Sequence, residues 1–293
     1  MKASLTVATL IVFLSTAISR AADPITVDLW PGGKPPGQKV EPGPDTVTKN
    51  KAGKVRITDV TRPQIVVYPA PKEKNTGTAL IIAPGGGFKD LGWDFEGVAM
   101  AEWCNKQGVT AIILKYRVPS NAQGANLDGQ RSVGLVRSRA KEWGIDPKKI
   151  GMIGFSAGGA VMNYTLLNID KRGYEPVDEH DKVSSKLDWG VYIYSAGGLA
   201  GKDGKNTASI TKEKIPPLFM AVGYDDNTVN GMVQSFQALK KAGVQAELHV
   251  YATGPHAFGG NILNPPMPLI GDWSHRLEAW MRYQKLLDPK KVP

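Results

Sequence analysis

The sequence predicts an α/β fold, with a mostly parallel central sheet and helices on both of its faces. Short apolar runs such as 79–83 and 150–155 have the length and β-branched content of strands buried on both faces. Helical patterns separate these runs, and strands that alternate with helices indicate βαβ units and a parallel sheet. The 293 residues contain no internal repeat and no long linker, which suits one large domain.

The strands are predicted from two kinds of pattern. Alternation of apolar and polar residues over 55–68 indicates one or two strands, and short apolar runs indicate the others. The run at 218–223 follows Pro216-Pro217, which marks where that strand begins. The remaining predicted strands, in chain order, are 79–83, 110–115, 150–155, 189–194, 218–223 and 247–251.

The helices are predicted from periodicity and from signals at their ends. The segment 127–143 is amphipathic, and Asp128 is its expected N-cap. Gly243 is expected to end the helix that begins at residue 229. The predicted helices are 96–107, 127–143, one that starts directly after residue 156, 229–242 and 273–287.

Three segments fall outside this alternation of strands and helices. Residues 23–48 are rich in Pro and Gly and are expected to form an irregular arm over the domain, with Trp30 as its anchor. The polar stretches 168–186 and 201–214 are expected to be surface insertions. None of the three is a linker that would divide the chain into domains.

The first 22 residues have the pattern of a secretory signal peptide. Met1-Lys2 is a short basic start, an apolar stretch runs from residue 3 to about residue 19, and Ser19-Arg20-Ala21 fits a cleavage site. We expect removal near Ala21 or Ala22, which leaves a domain of residues 23–293 in a secreted or periplasmic protein. The alternative is an uncleaved anchor, although the stretch is short for a membrane span. No cysteine lies near the cut, which argues against a lipoprotein.

Charge and cysteine content exclude several classes of function. The net charge is +9, and about +7 without Lys2 and Arg20. The excess is scattered in pairs of lysines with no aromatic-interleaved stripe, so nucleic-acid binding is not expected, while attraction to acidic surfaces stays open. Cys104 is the only cysteine, so no intrachain disulfide can form. It lies in an apolar helical run, and we expect a buried thiol rather than a nucleophile or a metal ligand.

A candidate nucleophile follows the strand 150–155. The motif Gly154-Phe155-Ser156-Ala157-Gly158 places a serine between small residues, where a strand turns sharply into a helix. Such a turn strains the serine backbone and requires glycine, or nearly so, two residues before and after it. The turn exposes the hydroxyl to a substrate, so Ser156 is the predicted nucleophile.

A serine hydroxyl needs a base to remove its proton, and four histidines are available. His249 lies within a strand, His275 in the last helix and His180 in a charged loop. His256 follows the last strand directly, and open α/β sheets keep their chemistry at the carboxyl ends of parallel strands. His256 is therefore the predicted base.

The base needs an acid that orients it, and the strand 218–223 ends in Tyr224-Asp225-Asp226-Asn227. Two adjacent aspartates cannot both face one imidazole. We favour Asp226, which lies on the turn three residues after Gly223, and leave Asp225 as the alternative, with a turn or capping role for the other carboxylate. The chain order serine, aspartate, histidine is that of the α/β-hydrolase fold.

An oxyanion hole is predicted from the Pro84-Gly85-Gly86-Gly87-Phe88 loop after the strand 79–83. Glycines let the backbone approach a ligand closely. We assign the N–H groups of Gly86, Gly87 and Ala157 as donors to the developing oxyanion, with Gly85 as the alternative. A phosphate-binding loop would have Lys-Ser or Lys-Thr after the glycines, where this chain has Phe88-Lys89-Asp90.

A second serine motif, Tyr194-Ser195-Ala196-Gly197-Gly198, resembles the first. Ile193 stands two residues before Ser195, so the glycine that the tight turn requires is missing. We interpret Ser195 as scaffolding at a strand end, beside the pocket.

Taken together, these motifs give the chain a resemblance to the α/β-hydrolase esterases known as acetyl xylan esterases or xylanase-like esterases. These lie near the hormone-sensitive-lipase and prolyl-oligopeptidase-like hydrolases. The resemblance covers nearly all of the chain after the predicted signal peptide, and the combination of motifs is more specific than any one of them. The residues that carry it are Leu29-Trp30-Pro31-Gly32-Gly33, Pro84-Gly85-Gly86-Gly87-Phe88, Lys115-Tyr116-Arg117-Val118-Pro119, Asp128-Gly129-Gln130-Arg131, Glu142-Trp143-Gly144-Ile145-Asp146-Pro147, Gly154-Phe155-Ser156-Ala157-Gly158-Gly159 and Glu247-Leu248-His249-Val250-Tyr251 leading to His256.

The resemblance implies a serine esterase that acts on acetylated plant polysaccharide. One departure concerns the histidine motif, since many relatives have Gly-Gly-His-Gly-Phe where this chain has Gly254-Pro255-His256-Ala257-Phe258. We expect His256 to remain the base. Arg117 and the segment 128–131 match scaffold positions, for which we expect buried ion pairing and capping.

The sequence thus predicts an esterase with Ser156, Asp226 and His256 as catalytic residues, and with no metal or cofactor. The expected substrate is a small ester or an acetylated saccharide; the oligomeric state stays open. Two alternatives remain. One is a peptidase of the prolyl-oligopeptidase type, and the other is a carbohydrate-binding protein that has kept the fold without activity.

Overall fold

The computed structural model describes residues 23–38, 40–200, 207–262 and 270–288. The predicted signal peptide therefore lies outside the described residues, as does the part of the 201–214 insertion up to residue 206. No helix within these ranges combines the length and the apolar character that crossing a membrane requires.

An eight-stranded sheet forms the centre of the molecule. Its strands lie in the order β1-β4-β6-β5-β7-β8-β9-β10, and β2 and β3 form a separate antiparallel hairpin. Contacts from β6 through β5, β7, β8 and β9 to β10 are all parallel, whereas β1 and β4 join the far edge antiparallel. The strands are β1 (Ile25–Asp28), β2 (Thr46–Lys49), β3 (Val55–Thr58), β4 (Gln64–Tyr68), β5 (Ala79–Ala83), β6 (Thr110–Lys115), β7 (Ile150–Phe155), β8 (Trp189–Ile193), β9 (Leu218–Gly223) and β10 (Ala246–Tyr251).

In the described part of the chain, five α-helices connect and cover the strands. They are α1 (Ala99–Lys106), α2 (Ala122–Ser138), α3 (Ala157–Leu167), α4 (Val229–Lys241) and α5 (Trp273–Tyr283). A π-helical turn, Trp93–Val98, leads directly into α1. Every residue of β5, β6, β7, β8 and β9 is buried, because helices cover both faces of the sheet there. The predicted α/β-hydrolase fold, with a mostly parallel central sheet, is therefore present.

The strand predictions are confirmed more closely than the helix predictions. Strands β5, β6, β7 and β9 have the predicted bounds, and residues 55–68 form two strands. Helix α2 begins earlier than predicted, because the Asn121 side chain accepts a hydrogen bond from Gly124 N–H and caps it. The prediction that Asp128 is the N-cap is wrong: Asp128 lies inside α2, fully buried, and pairs with Arg117.

The N-terminal arm is less irregular than predicted, since it contributes β1 and β2. Trp30 does anchor it, as predicted. Its indole is 1% exposed, donates a hydrogen bond to Asp128 Oδ1 at 2.7 Å and packs edge-on against Tyr174. The guanidinium groups of Arg117 and Arg131 lie 5.8 and 5.5 Å from the indole ring. The arm is thus fixed to α2 and to the end of β6 by a buried polar cluster.

Candidate active site

The candidate site residues follow five strands whose carboxyl ends lie at one edge of the sheet. The glycine loop follows β5, Ser156 follows β7 and Tyr194 follows β8. Asp226 and His256 follow β9 and β10. Because these strands are parallel neighbours, the loops after them meet in space although the residues are up to 172 positions apart.

Ser156 lies in a sharp turn between β7 and α3. Its φ is +49° and its ψ is −115°, a conformation that few non-glycine residues adopt. A Cβ on Gly158 would lie 2.0 Å from the carbonyl oxygen of Ala83, and one on Gly154 would lie 2.6 Å from Gly159 Cα. Glycine is therefore required on both sides of the serine, as the motif predicts, and the turn presents the Ser156 hydroxyl at the sheet edge.

A hydrogen-bonded chain joins the three predicted catalytic side chains. Ser156 Oγ lies 2.7 Å from His256 Nε2, and His256 Nδ1 lies 2.8 Å from Asp226 Oδ2. The other Asp226 oxygen accepts hydrogen bonds from the Thr228 backbone N–H and hydroxyl, both at 2.8 Å. An ionised Asp226 can only accept a hydrogen bond, so the single N–H of a neutral His256 must be on Nδ1. Nε2 is then free to accept a hydrogen bond from the serine hydroxyl.

The electrostatics of the pair match this arrangement. Burial raises the pKa of the Asp226 carboxyl, but hydrogen bonds from His256 and Thr228 outweigh it and hold the pKa below its usual range. The hydrogen bond with Asp226 raises the pKa of His256 above its ordinary value, and partial burial opposes the effect. The Asp226 side chain is fully buried, whereas that of His256 is 40% exposed, so the imidazole can exchange protons with a substrate or water.

The structure shows which of the two adjacent aspartates faces the imidazole. Asp226 contacts the imidazole, whereas Asp225 is exposed and accepts a hydrogen bond from Thr253 Oγ1 at 3.2 Å. The other three histidines lie elsewhere. His249 binds Glu247, His180 binds Ser138, and His275 is an exposed neighbour of Asp272.

The glycine loop lies beside Ser156. Gly86 has a φ of +140°, and a Cβ there would lie 1.9 Å from the carbonyl oxygen of Asp90, so only glycine fits. Within the described ranges, no hydrogen bond joins the N–H group of Gly86, Gly87 or Ala157 to another residue. Gly85 N–H instead donates to the Glu96 carboxylate. Gly85 is therefore occupied, and the other three N–H groups are available to a ligand.

Two further residues, which the sequence analysis did not single out as site residues, border the site. Glu96 is 4% exposed, and its second oxygen accepts a hydrogen bond from Tyr194 Oη at 2.8 Å. The Tyr194 ring in turn packs edge-on against the His256 ring, with centroids 5.0 Å apart. No local motif marks these contacts, because they join residues 98 and 62 positions apart.

Ser195 is fully buried, so it is scaffolding rather than part of the pocket surface. Its Oγ lies next to Gly159, where a Cβ would approach it to 1.9 Å, and it has no hydrogen-bond partner among the described residues. Cys104 is also buried, as predicted, and burial raises the pKa of its thiol well above the usual range. In the described part of the chain, no group of three or more His, Cys, Asp or Glu side chains could hold a metal ion.

Comparison with known proteins shows which sequences and folds the chain is similar to. Residues 65–191 match the model of the BD-FAE family. An acetylxylan esterase of Xylanibacter ruminicola is 28% identical over 222 residues, which are 70% of this chain and 45% of that protein. An endo-1,4-beta-xylanase B of Butyrivibrio fibrisolvens is 27% identical over 51% of this chain and 25% of that protein. The chain thus spans less than half the length of these curated relatives.

Solved structures show the same fold over most of the chain. An acetyl ester-xyloside bifunctional hydrolase from Caldicellulosiruptor lactoaceticus is 26% identical, with a TM-score of 0.69 over 93% of this chain and 100% of that one. A thermophilic esterase of the Planctomycetes species Thermogutta terrifontis has a TM-score of 0.66 at 21% identity, over 88% of this chain and 97% of that one. The chain therefore has the α/β-hydrolase fold, matches the BD-FAE family model over residues 65–191 and is similar in sequence to an acetylxylan esterase.

Proposed function

We propose that this protein is a serine esterase that hydrolyses carboxylic esters through an acyl-enzyme. The observation that carries the proposal is the chain of hydrogen bonds from Ser156 Oγ through His256 to the buried Asp226. A serine hydroxyl becomes a competent nucleophile when such a base and orienting acid are in place. The esterase names of the homologue and of the structural neighbours support the same reaction class.

In the proposed reaction, Ser156 Oγ attacks the ester carbonyl while His256 Nε2 accepts its proton. The imidazolium that forms is stabilised by Asp226, which also holds the ring in the required tautomer. Collapse of the tetrahedral intermediate expels the alcohol, which takes the proton from His256. Water then attacks the acyl-enzyme with His256 again acting as base, and release of the carboxylic acid restores Ser156.

The negative oxygen of each tetrahedral intermediate would be bound by the N–H groups of Gly86, Gly87 and Ala157. Donors of this kind contribute roughly 3 kcal/mol each to stabilisation of the transition state. Their assignment is supported by the lack of a partner for these groups within the described ranges. The occupied Gly85 N–H leaves Gly85 without this role.

We propose acetyl groups on plant polysaccharide or oligosaccharide as the substrate. The support is that one relative is named an acetylxylan esterase and one solved neighbour an acetyl ester-xyloside hydrolase. Acetate release from acetylated xylan, compared with hydrolysis of p-nitrophenyl esters of increasing acyl length, tests this choice. We expect the acetyl ester to be the best of the series, and a clear preference for long acyl chains would contradict it.

The esterase proposal is tested by Ser156→Ala with p-nitrophenyl acetate as substrate. Without the nucleophile no acyl-enzyme forms, so we expect kcat to fall by about 10⁴-fold or more. The α-helical circular dichroism should be unchanged, because alanine removes only an exposed hydroxyl. Undiminished turnover would contradict the assignment, and cleavage of dipeptide amides in preference to esters would favour a peptidase.

We also propose that the protein is exported, on the strength of the basic start, the apolar stretch and the Ser19-Arg20-Ala21 site. Amino-terminal sequencing of the exported protein should give a mature chain that begins near Ala21 or Ala22. A mature chain that retains Met1 would contradict cleavage.

A further inference from the structure

We propose that Glu96 and Tyr194 form a buried bridge that positions the glycine loop and the His256 loop with respect to each other. The inference rests on the proposed esterase function and assigns both side chains as positioning residues for it. We call this pair the Glu96–Tyr194 bridge. Neither side chain gives or takes a proton in the proposed reaction.

The first half of the bridge fixes the glycine loop. The Glu96 carboxylate accepts the N–H of Gly85, the residue that precedes the two proposed oxyanion donors. A Cβ on Gly85 would lie 2.9 Å from the Glu96 Oε2 atom, and one on Gly92 would lie 3.1 Å from it. Glycine at both positions therefore lets the carboxylate reach the backbone.

The second half of the bridge fixes the His256 loop. Tyr194 Oη donates to Glu96 Oε1 at 2.8 Å. The same tyrosine packs closely on Gly259, where a Cβ would lie 3.1 Å from the hydroxyl oxygen. The Tyr194 ring packs edge-on against both His256 and Phe258, at centroid distances of 5.0 and 4.9 Å. Tyr194 thus packs against His256, Phe258 and Gly259 of the His256 loop.

The local backbone is shaped to place both side chains. Glu96 lies in the π-helical turn 93–98, where Gly92 O accepts from both Glu96 N–H and Gly97 N–H, at 2.9 and 3.3 Å. Such turns are rare and often occur at functional sites. Tyr194 has a φ of +37°, which is unfavourable for an aromatic residue. Both deviations cost free energy, and both serve to bring the two side chains together.

The burial of the Glu96 carboxyl costs free energy that a purely structural role does not explain. Glu96 is buried, burial raises the pKa of its carboxyl, and no cationic side chain of the described residues lies within ion-pair distance of it. A buried carboxyl without a cationic partner destabilises a fold, and apolar residues of similar volume would pack there at lower cost. Its hydrogen bonds with the glycine loop and with Tyr194 provide the reason for its presence.

The bridge matters because the reaction needs two loops at once. The oxyanion donors must lie about 3 Å from the reacting oxygen while His256 Nε2 stays within reach of Ser156 Oγ. A misplacement of about 1 Å in such a site can lower the rate by about 10²-fold. A rigid connection behind the site removes independent movement of the two loops.

The test compares Tyr194→Phe, Glu96→Gln and the double variant with p-nitrophenyl acetate as substrate. Tyr194→Phe removes one oxygen and keeps the ring packing. Glu96→Gln keeps the shape, but its amide group can accept from only one of its two donors. We expect each single variant to lower kcat by about 10-fold to 100-fold with KM changed less than about threefold. The loss of kcat in the double variant should be no larger than in the more impaired of the two single variants, because both substitutions break the same connection.

Tyr192→Phe is the matched control. It removes a buried hydroxyl from the preceding strand, where Tyr192 Oη donates to Asn163 Oδ1 at 2.6 Å away from the bridge. We expect Tyr192→Phe to lose about as much thermal stability as Tyr194→Phe. Its kcat should stay within about twofold of that of the unmodified protein. Losses in the two single variants no larger than in this control, or losses that multiply in the double variant, would overturn the inference. If Glu96→Gln does not fold, the comparison of kcat between Tyr194→Phe and Tyr192→Phe decides the test.

The two proposals can fail separately. An inactive unmodified protein, or an active Ser156→Ala variant, would refute the esterase assignment itself. Normal activity that Ser156→Ala abolishes and Tyr194→Phe leaves intact would refute the bridge only.

Discussion

The Ser156 backbone is held in a conformation that costs about 1–3 kcal/mol. The surrounding glycines make this conformation possible, since a Cβ on Gly158 would collide with Ala83 and one on Gly159 with Ser195. This conformation places the hydroxyl oxygen 2.7 Å from His256 Nε2. At this scale the chain gives up a small amount of stability to expose one oxygen in a fixed direction.

The pH dependence of the proposed activity follows from His256. Only the neutral imidazole can accept the serine proton, so activity is lost as His256 becomes protonated. Because the hydrogen bond with Asp226 raises the pKa of His256 above 6.5, the acidic limb of kcat/KM should have its midpoint above pH 6.5. Rates of p-nitrophenyl acetate hydrolysis between pH 5 and pH 9 measure this midpoint.

The Asp226→Asn variant tests the cause of that midpoint. Loss of the carboxylate lowers the pKa of His256, so the acidic limb should move to lower pH. The plateau of kcat should also fall by about 10⁴-fold, because the amide no longer imposes the required tautomer. Asp225→Asn is the control and should leave both limb and plateau unchanged, since Asp225 binds Thr253 and not the imidazole. An acidic limb that stays in place in Asp226→Asn would contradict the pairing.

At the scale of elements, the glycine loop after β5 offers a matched pair of substitutions. In Gly86→Ala the new Cβ would lie 1.9 Å from Asp90 O, so the loop must shift. In Gly87→Ala the Cβ meets nothing within 4 Å, and only the positive φ of +63° opposes it, at a cost of about 1 kcal/mol. We expect kcat to fall by more than about 10²-fold in Gly86→Ala and by less than about 10-fold in Gly87→Ala. Equal losses in the two variants would contradict the proposed loop geometry.

The elements that the sequence analysis predicted best are those whose environment is uniform. Strands β5 and β7 are buried on both faces, so their apolar runs begin and end where the strands do. The sequence predicts helix α2 five residues too late. Asn121 and Asp128 are both good N-cap residues, and the local sequence does not show which of them caps the helix. Pairing with Arg117, a tertiary contact, decides that Asp128 is inside the helix.

The candidate site was predictable to the extent that it follows strand ends. Ser156, Asp226 and His256 each stand directly after a recognisable strand, so topology alone brings them to one edge. Glu96 and Tyr194 could not be found in this way. Glu96 precedes an ordinary amphipathic helix, and its buried carboxylate accepts hydrogen bonds from Gly85 N–H and Tyr194 Oη, contacts that no short pattern records.

At the scale of the whole molecule, one buried ionic cluster joins the arm to the sheet and to α2. Asp128 accepts hydrogen bonds from the Trp30 indole and from the backbone and guanidinium of Arg117. Arg117 also donates to the carbonyl groups of Pro36 and Gly124. The cluster holds the arm, the end of β6 and the start of α2 together.

Arg117→Met tests how far global stability depends on this cluster. The side chain of Arg117 is 3% exposed and that of Asp128 is fully buried, so the variant leaves a buried carboxylate without its cation. Loss of one partner from a buried pair costs about 3–5 kcal/mol, and we expect the free energy of unfolding in urea to fall by that amount. Lys34→Ala breaks the ion pair between Lys34 and Glu41, whose side chains are 65% and 84% exposed. This variant should change the free energy of unfolding by less than about 0.5 kcal/mol. A loss below about 1 kcal/mol in Arg117→Met would mean that the arm and α2 are held by apolar packing instead, because the buried charge would then have found water or another donor.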